Sequence, residues 1–107
     1  MRYLTTLLSA AAVLCALSSV AAAQNSHGDP LFKENCLMCH GADGAGTPTG
    51  KALKAAPFQS PAVEKMSDAE LATIIHNGKN NMPEFGNRLT SPQIDSLVSY
   101  IRQLQKK

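Results

Sequence analysis

Residues 36 to 40 read Cys36-Leu37-Met38-Cys39-His40. Two thiols with two residues between them lie on one turn of backbone, where each can add across one vinyl group of the same porphyrin. A histidine directly after the second cysteine then lies under the ring and offers its imidazole to the iron. Cys-x-x-Cys-His is the attachment pattern for c-type haem. Bare Cys-x-x-Cys also occurs in zinc sites and thiol oxidoreductases. Structural zinc needs a second Cys or His pair, and the chain has none. A thioredoxin-like site needs a βαβ pattern, and no strand-like alternation is visible. The pattern therefore predicts one covalent haem c per chain, with Cys36 and Cys39 forming the thioethers and His40 the proximal iron ligand.

The chain has 107 residues, enough for one domain. Residues 1–23 read as a cleaved secretory signal peptide: Arg2, an apolar stretch from Leu7 to Leu17, and Ala21-Ala22-Ala23 before Gln24. The stretch is too short to span a membrane, which takes about 20 apolar residues. Cys15 falls within the discarded segment, because bulky Leu14 precedes it where a lipid anchor needs a small residue. The expected mature domain, residues 24–107, keeps 30 apolar residues of 84, poor for so small a core. A buried porphyrin would supply the missing apolar volume. Only the two motif cysteines survive, so no disulfide framework competes for them. Nine basic against eight acidic residues leave the mature chain near neutral, which argues against a nucleic-acid partner.

The elements that must position the motif can be read in turn. His27 belongs to a polar lead-in and reads as a solvated terminal histidine. Asp29-Pro30 reads as an N-cap and first helical position, opening a helix over 30–38 that carries Leu31 and Phe32 toward the core. Gly41 releases the chain after His40. Residues 41–57 read as a glycine-rich loop folded over the proximal side, and the Pro48 carbonyl is the candidate acceptor for the second ring nitrogen of His40. Ser60-Pro61 suggests a short turn over 61–65. Ser67 and Glu70 form a capping box for a helix with Leu71, Ile74 and Ile75 on one face, ending at Asn77-Gly78. Met66 serves as its hydrophobic staple, and His76 faces solvent. Residues 79–89 are irregular and polar. Met82 lies there, in a segment free to bend over a ring, and by position alone it reads equally as an iron ligand and as core packing. Thr90 with Gln93, or Ser91 with Pro92, caps a last helix over 92–105, whose stripe is Ile94, Leu97, Val98, Ile101 and Leu104, flanked by Tyr100. Arg102 near its end suits the helix dipole.

With these residues in place, the chain resembles the class I c-type cytochromes over residues 28 to 104. Gly28-Asp29-Pro30-Leu31-Phe32 with Asn35-Cys36 is similar to the family's N-terminal helix, and Cys36 through Gly44 to its haem-binding segment. Lys79-Asn80-Asn81-Met82-Pro83 is similar to its Met-Pro segment, and Leu97 through Arg102 to its C-terminal helix. The resemblance implies an all-α cytochrome c-like fold: three main helices plus long loops around one haem. It implies that the terminal helices cross near Gly28, Phe32 and Tyr100. It also implies that Met82 is the distal ligand, opposite His40.

The function so implied is periplasmic one-electron transfer, without enzymatic turnover, between transient redox partners. His–Met ligation favours ferrous iron, since a thioether is a soft, weak donor. The expected species is a monomer without a membrane span. Lys33, Lys51, Lys54 and Lys79 could steer an acidic partner, or serve as ordinary surface lysines. Two alternatives stand beside this reading: a cytochrome subunit of a larger oxidoreductase, and a ligand-binding or sensing haem protein with an open distal site.

Overall fold

A computed structural model describes residues 28–107. The expected signal peptide, Cys15, His27 and the expected boundary at 23/24 lie outside the described residues. Six helices follow one another: α1 (Gly28–Asn35), α2 (Leu37–His40), α3 (Pro48–Ala52), α4 (Pro61–Glu64), α5 (Asp68–Asn77) and α6 (Ser91–Gln105). Three are long enough to build a core, and three are single turns. Among the described residues the β pairing is one isolated bridge, Lys79 with Met82.

The core is made where α1 and α5 pack on the apolar stripe of α6. All five stripe residues are buried, and Leu97 is 0 % exposed. Burying a leucine this fully contributes about 1.5–3 kcal/mol. The α1–α6 crossing is close because Gly28 has no side chain: a Cβ there would stand 2.7 Å from the Ser96 carbonyl oxygen and 2.9 Å from Tyr100 Cβ. Phe32, 1 % exposed, fills the crossing, its ring 5.1 Å from Tyr100 and 6.0 Å from Phe58. The expected crossing residues are thus the observed ones.

Both capping boxes form. The Ser67 hydroxyl accepts from the Glu70 N–H while the Glu70 carboxylate accepts from the Ser67 N–H; Thr90 and Gln93 do the same for α6. Thr90, not Ser91, is therefore the α6 cap. Met66 packs against the core, as a staple should. Arg102 does more than face a dipole. Its Nε donates to Asp68 Oδ1 at 2.9 Å and its Nη2 to the Met66 carbonyl, fixing the end of α6 to the start of α5.

Two boundaries differ from expectation. The first helix already runs at Gly28, so Asp29 lies within it and pairs with Lys33 at 3.4 Å instead of capping. That helix ends at Asn35, and Cys36 separates it from α2. The 41–57 loop also contains a helical turn, α3. Thr47 caps it through Gly50 N, with Pro48 at the first position, the same signal that was read at Ser60-Pro61 and passed over here.

Candidate functional site

The Cys–His turn begins where α1 ends. Cys36 N donates to the Phe32 carbonyl at 2.8 Å, which hangs the turn from the most deeply buried part of α1. The Cys36 carbonyl then accepts from both Cys39 N (3.3 Å) and His40 N (3.0 Å). Downstream residues take the rest. Gly41 N donates to Leu37 O at 3.0 Å, Thr47 N to Cys39 O at 3.0 Å, and Gly46 N to His40 O at 2.8 Å. The Thr47 hydroxyl donates to Met38 O at 2.6 Å. Every carbonyl from Cys36 to His40 thus has a donor, which holds the turn in one shape.

Its side chains are not committed. Both cysteines are free thiols, half-buried on the same turn. Burial, and then the neighbouring Cys39, push the Cys36 thiol up to about 11, the opposite of the low-pKa thiol that a disulfide oxidoreductase needs. The His40 ring lies 4.8 Å from Phe58, tilted by 30°. Burial pushes its pKa down, which keeps the imidazole neutral and its lone pair available. Its Nδ1 is buried with no hydrogen-bond partner. The expected bond to the Pro48 carbonyl is therefore not made: Pro48 opens α3, and helix carbonyls point along the helix axis.

Gly50 seals the turn from below. A Cβ at this position would stand 1.9 Å from the Cys39 carbonyl oxygen, so α3 packs backbone to backbone against the motif. Phe58 is held over His40 from two sides. Its N–H donates to Gly44 O at 2.9 Å and its carbonyl accepts from Gln105 Nε2 at 2.9 Å. Met38, between the two cysteines, is 79 % exposed.

Met82 lies on a separate segment. Lys79 N donates to Met82 O (3.1 Å) and Met82 N to Lys79 O (2.9 Å), closing a tight turn with Asn80 at φ 53°. Met82 is half-buried and packs on the same core as Cys36 and Leu37. Phe85 N to Ile75 O and Gly86 N to His76 O, both 3.0 Å, lay the following residues back along α5. His76 is exposed, covered on one side by Gly86 and bonded to Asn77 Oδ1 at 2.8 Å, outside the site. Sequence reasoning passed over Thr47, Gly50 and Phe58, which shape the turn without carrying a motif.

Comparison with known proteins decides the family. Residues 23–101 match the profile of the family described as cytochrome c oxidase, cbb3-type, subunit III. Cytochrome c6 of Cyanidioschyzon merolae is 33 % identical over 92 residues, covering 85 % of each chain. Cytochrome c6 of Thermosynechococcus vestitus is 31 % identical, covering 94 % of this chain and 88 % of its own. Among solved structures, the c-type cytochrome KustC0563 superposes with a TM-score of 0.68 at 31 % identity, covering 73 % of this chain and 96 % of its own. The chain belongs to the class I c-type cytochromes. It is an all-α electron-transfer protein of the haem c family.

The residues present in this cytochrome fit such a group. Two uncommitted thiols and a neutral histidine project from a turn whose carbonyls are all bonded, and the buried, partnerless Nδ1 belongs to that histidine. Among the described residues no three His, Cys, Asp or Glu side chains gather to hold an ion. No described helix is long and apolar enough to cross a membrane.

Proposed function

We propose that the mature protein, residues 24–107 after removal of the 1–23 signal peptide, is a periplasmic monohaem electron carrier. Cys36 and Cys39 hold one haem c through two thioethers, His40 is the proximal iron ligand and Met82 the distal one. When bound, the haem supplies a reversible one-electron couple. The chain does the rest. The bonded carbonyls of the turn fix where the two sulfurs and the imidazole point, and burial keeps His40 neutral. With His40 and Met82 both holding the iron, no position would remain for a substrate, so the protein would exchange electrons and turn over nothing itself. The observation that carries this reading is the Cys36–His40 turn, with every carbonyl satisfied and its two thiols left free.

The partners are transient redox proteins meeting a monomer through a small surface, as weak electron-transfer encounters do. Lys51, Lys54 and Lys79 are exposed and available to an acidic partner, whereas Lys33 is engaged by Asp29. A second reading, a subunit of a larger oxidoreductase, is favoured by the cbb3-type oxidase subunit III profile. Co-purification with a large partner at moderate salt supports it over the free carrier.

The test is the exported protein itself. Its intact mass must equal the chain without residues 1–23 plus one haem, and its ferric spectrum must carry a methionine–iron charge-transfer band. Met82→Ala is expected to abolish that band, open the iron to carbon monoxide and lower the potential. An unchanged spectrum and potential in Met82→Ala removes Met82 from the iron. Rapid carbon monoxide binding by the wild type, with no such band, makes it a ligand-binding protein instead.

A further inference from the structure

The Cys–His half and the Met82 half of the molecule are distant in sequence, and among the described residues one hydrogen bond joins residues 41–58 to residues 78–89. The Asn81 side-chain amide donates from Nδ2 to the Leu53 carbonyl at 3.0 Å. Both ends of this bond are built. On the acceptor side, Leu53 ends α3, its own N–H bonded to Thr49 O and Gly50 O, and Gly50 is pressed against the Cys39 carbonyl. The acceptor is therefore anchored, through Gly50, to the haem-attachment turn. On the donor side, Asn81 sits inside the turn that the Lys79–Met82 pair closes, immediately before Met82.

The backbone marks the same place independently. Among the described residues only two non-glycine residues have positive φ, Lys54 at 63° and Asn80 at 53°. They are the direct chain neighbours of the acceptor, Leu53, and of the donor, Asn81. Lys54 is the left-handed residue that ends α3, its N–H on Lys51 O at 3.0 Å and the Ala55 N–H on Gly50 O at 2.9 Å, and Asn80 lies inside the Lys79–Met82 turn. Each bend is thus set by its own local bonds, and the Asn81–Leu53 bond joins two bends that are already formed.

We propose that Asn81 is a positioning residue that clasps the Met82 turn to the Cys39 side of the molecule and so holds the methionine in its place on the iron. This rests on the reading of Met82 as the distal ligand. Asn81 touches neither haem nor partner in this role; it acts by reducing the population in which the Met82 turn swings away. The bond is exposed, so its net worth is that of an ordinary neutral hydrogen bond. Such a bond shifts an equilibrium by about three- to tenfold.

The experiment uses the full-length haem-loaded protein. Carbon monoxide binds the ferrous form only when Met82 is off, so its binding rate reports the open population. Asn81→Ala and Asn81→Asp, neither of which donates as the amide does, are expected to bind carbon monoxide about three- to tenfold faster than wild type. Their ferric charge-transfer band should be lost at a pH about half to one unit lower, by the same population shift. Lys54→Val attacks the clasp from the acceptor side, since a β-branched residue resists the left-handed bend. It should move both readouts in the same direction and combine less than additively with Asn81→Ala. Thr73→Ala, which removes an exposed bond to Ala69 O remote from the clasp, should keep the wild-type rate.

A wild-type carbon monoxide rate in Asn81→Ala, whatever its melting temperature, overturns the clasp while Met82 stays the ligand. Additive effects of Asn81→Ala and Lys54→Val do the same. A wild type without the charge-transfer band, or one unaffected by Met82→Ala, overturns the ligand reading and the clasp with it.

Discussion

Helices α2 and α5 each release the chain into one half of the site through a glycine of nearly the same backbone, Gly41 at φ 76°, ψ 163° and Gly78 at φ 76°, ψ 170°. That region is open almost only to glycine. The two exits nevertheless do different work. A Cβ on Gly41 would meet nothing nearer than Asp43 Oδ1 at 3.4 Å, an ordinary contact. A Cβ on Gly78 would stand 2.7 Å from Met82 O and 2.9 Å from Glu84 N. Torsion alone explains the first glycine; torsion and space together require the second. The difference reaches beyond these residues. The Cys–His half is held by bonds from its own next few residues, Gly41 to Thr47. The Met82 half is a turn folded back against the end of α5, held by close packing and by bonds to residues farther away in the chain, Phe85 N to Ile75 O, Gly86 N to His76 O and Asn81 Nδ2 to Leu53 O.

Substitution at the two glycines tests this contrast directly. Gly78→Ala should cost about 4 kcal/mol, the sum of a forced torsion and an overpacked contact. Gly41→Ala should cost about 2 kcal/mol, the torsion alone. Urea titration of the ferric holoproteins measures both, and a reversed order breaks the comparison. The spectra should separate them as well. Gly78→Ala displaces the backbone of Met82 and should weaken the methionine–iron band in the folded protein, whereas Gly41→Ala should keep it.

A smaller contrast sits between the two one-turn helices that open on a hydroxyl residue and a proline. Thr47 caps α3 through Gly50 N and also donates to Met38 O. Ser60 begins α4 with no side-chain cap bond, its Oγ buried and unpaired. Thr47→Ala should therefore lower stability by about 1–2 kcal/mol, as loss of an effective cap does. Ser60→Ala removes a hydroxyl that already lacks a partner, so it should stay within about 0.5 kcal/mol of wild type. Equal losses at the two positions would show that the Thr47 bonds to the Cys–His turn contribute nothing.

What could be read from the sequence follows the same division. The α6 stripe, the two capping boxes and the Gly28–Phe32–Tyr100 crossing were legible because each is a local pattern with one structural solution: apolar spacing, paired polar ends, a missing Cβ. The Cys36–His40 turn was legible because its chemistry lies in five consecutive residues. Phe58 was not, since an aromatic in an aperiodic stretch carries no sign that it will lie 4.8 Å from His40. The His40 environment was misread for a related reason. A carbonyl acceptor was expected at Pro48, but a one-turn helix starts there and turns that carbonyl along its axis. Asn81 was visible only as a polar residue in a polar loop. Its partner, Leu53, is 28 residues away, and nothing local announces a bond between them.

The smallest expected effect separates the two capping boxes, which share a geometry and differ in charge. In α5 the Ser67 N–H donates to Glu70 Oε2 at 2.7 Å; in α6 the Thr90 N–H donates to Gln93 Oε1 at 2.9 Å. The Ser67 backbone N–H, and then its side chain, hold the Glu70 carboxyl below its ordinary 4.5. A carboxyl whose folded pKa is depressed binds fewer protons in the folded state than in the unfolded chain at acid pH. Its contribution is complete above the unfolded value and is lost as pH falls through the folded one. Gln93 does not titrate, so α6 carries no such dependence. Glu70→Gln converts the first box into a copy of the second; it should lower the neutral plateau slightly, by the part the carboxylate contributes there, and so make the decline in stability below about pH 4.5 shallower. Urea midpoints of the two holoproteins from pH 3 to 7 measure it, with both pH limits chosen to bracket the carboxylate range of about 4. A decline of equal depth between neutral and acid pH in both proteins would mean that the Ser67–Glu70 bond does not survive in solution, and that the α5 start is held instead by Arg102 on Asp68 and Met66.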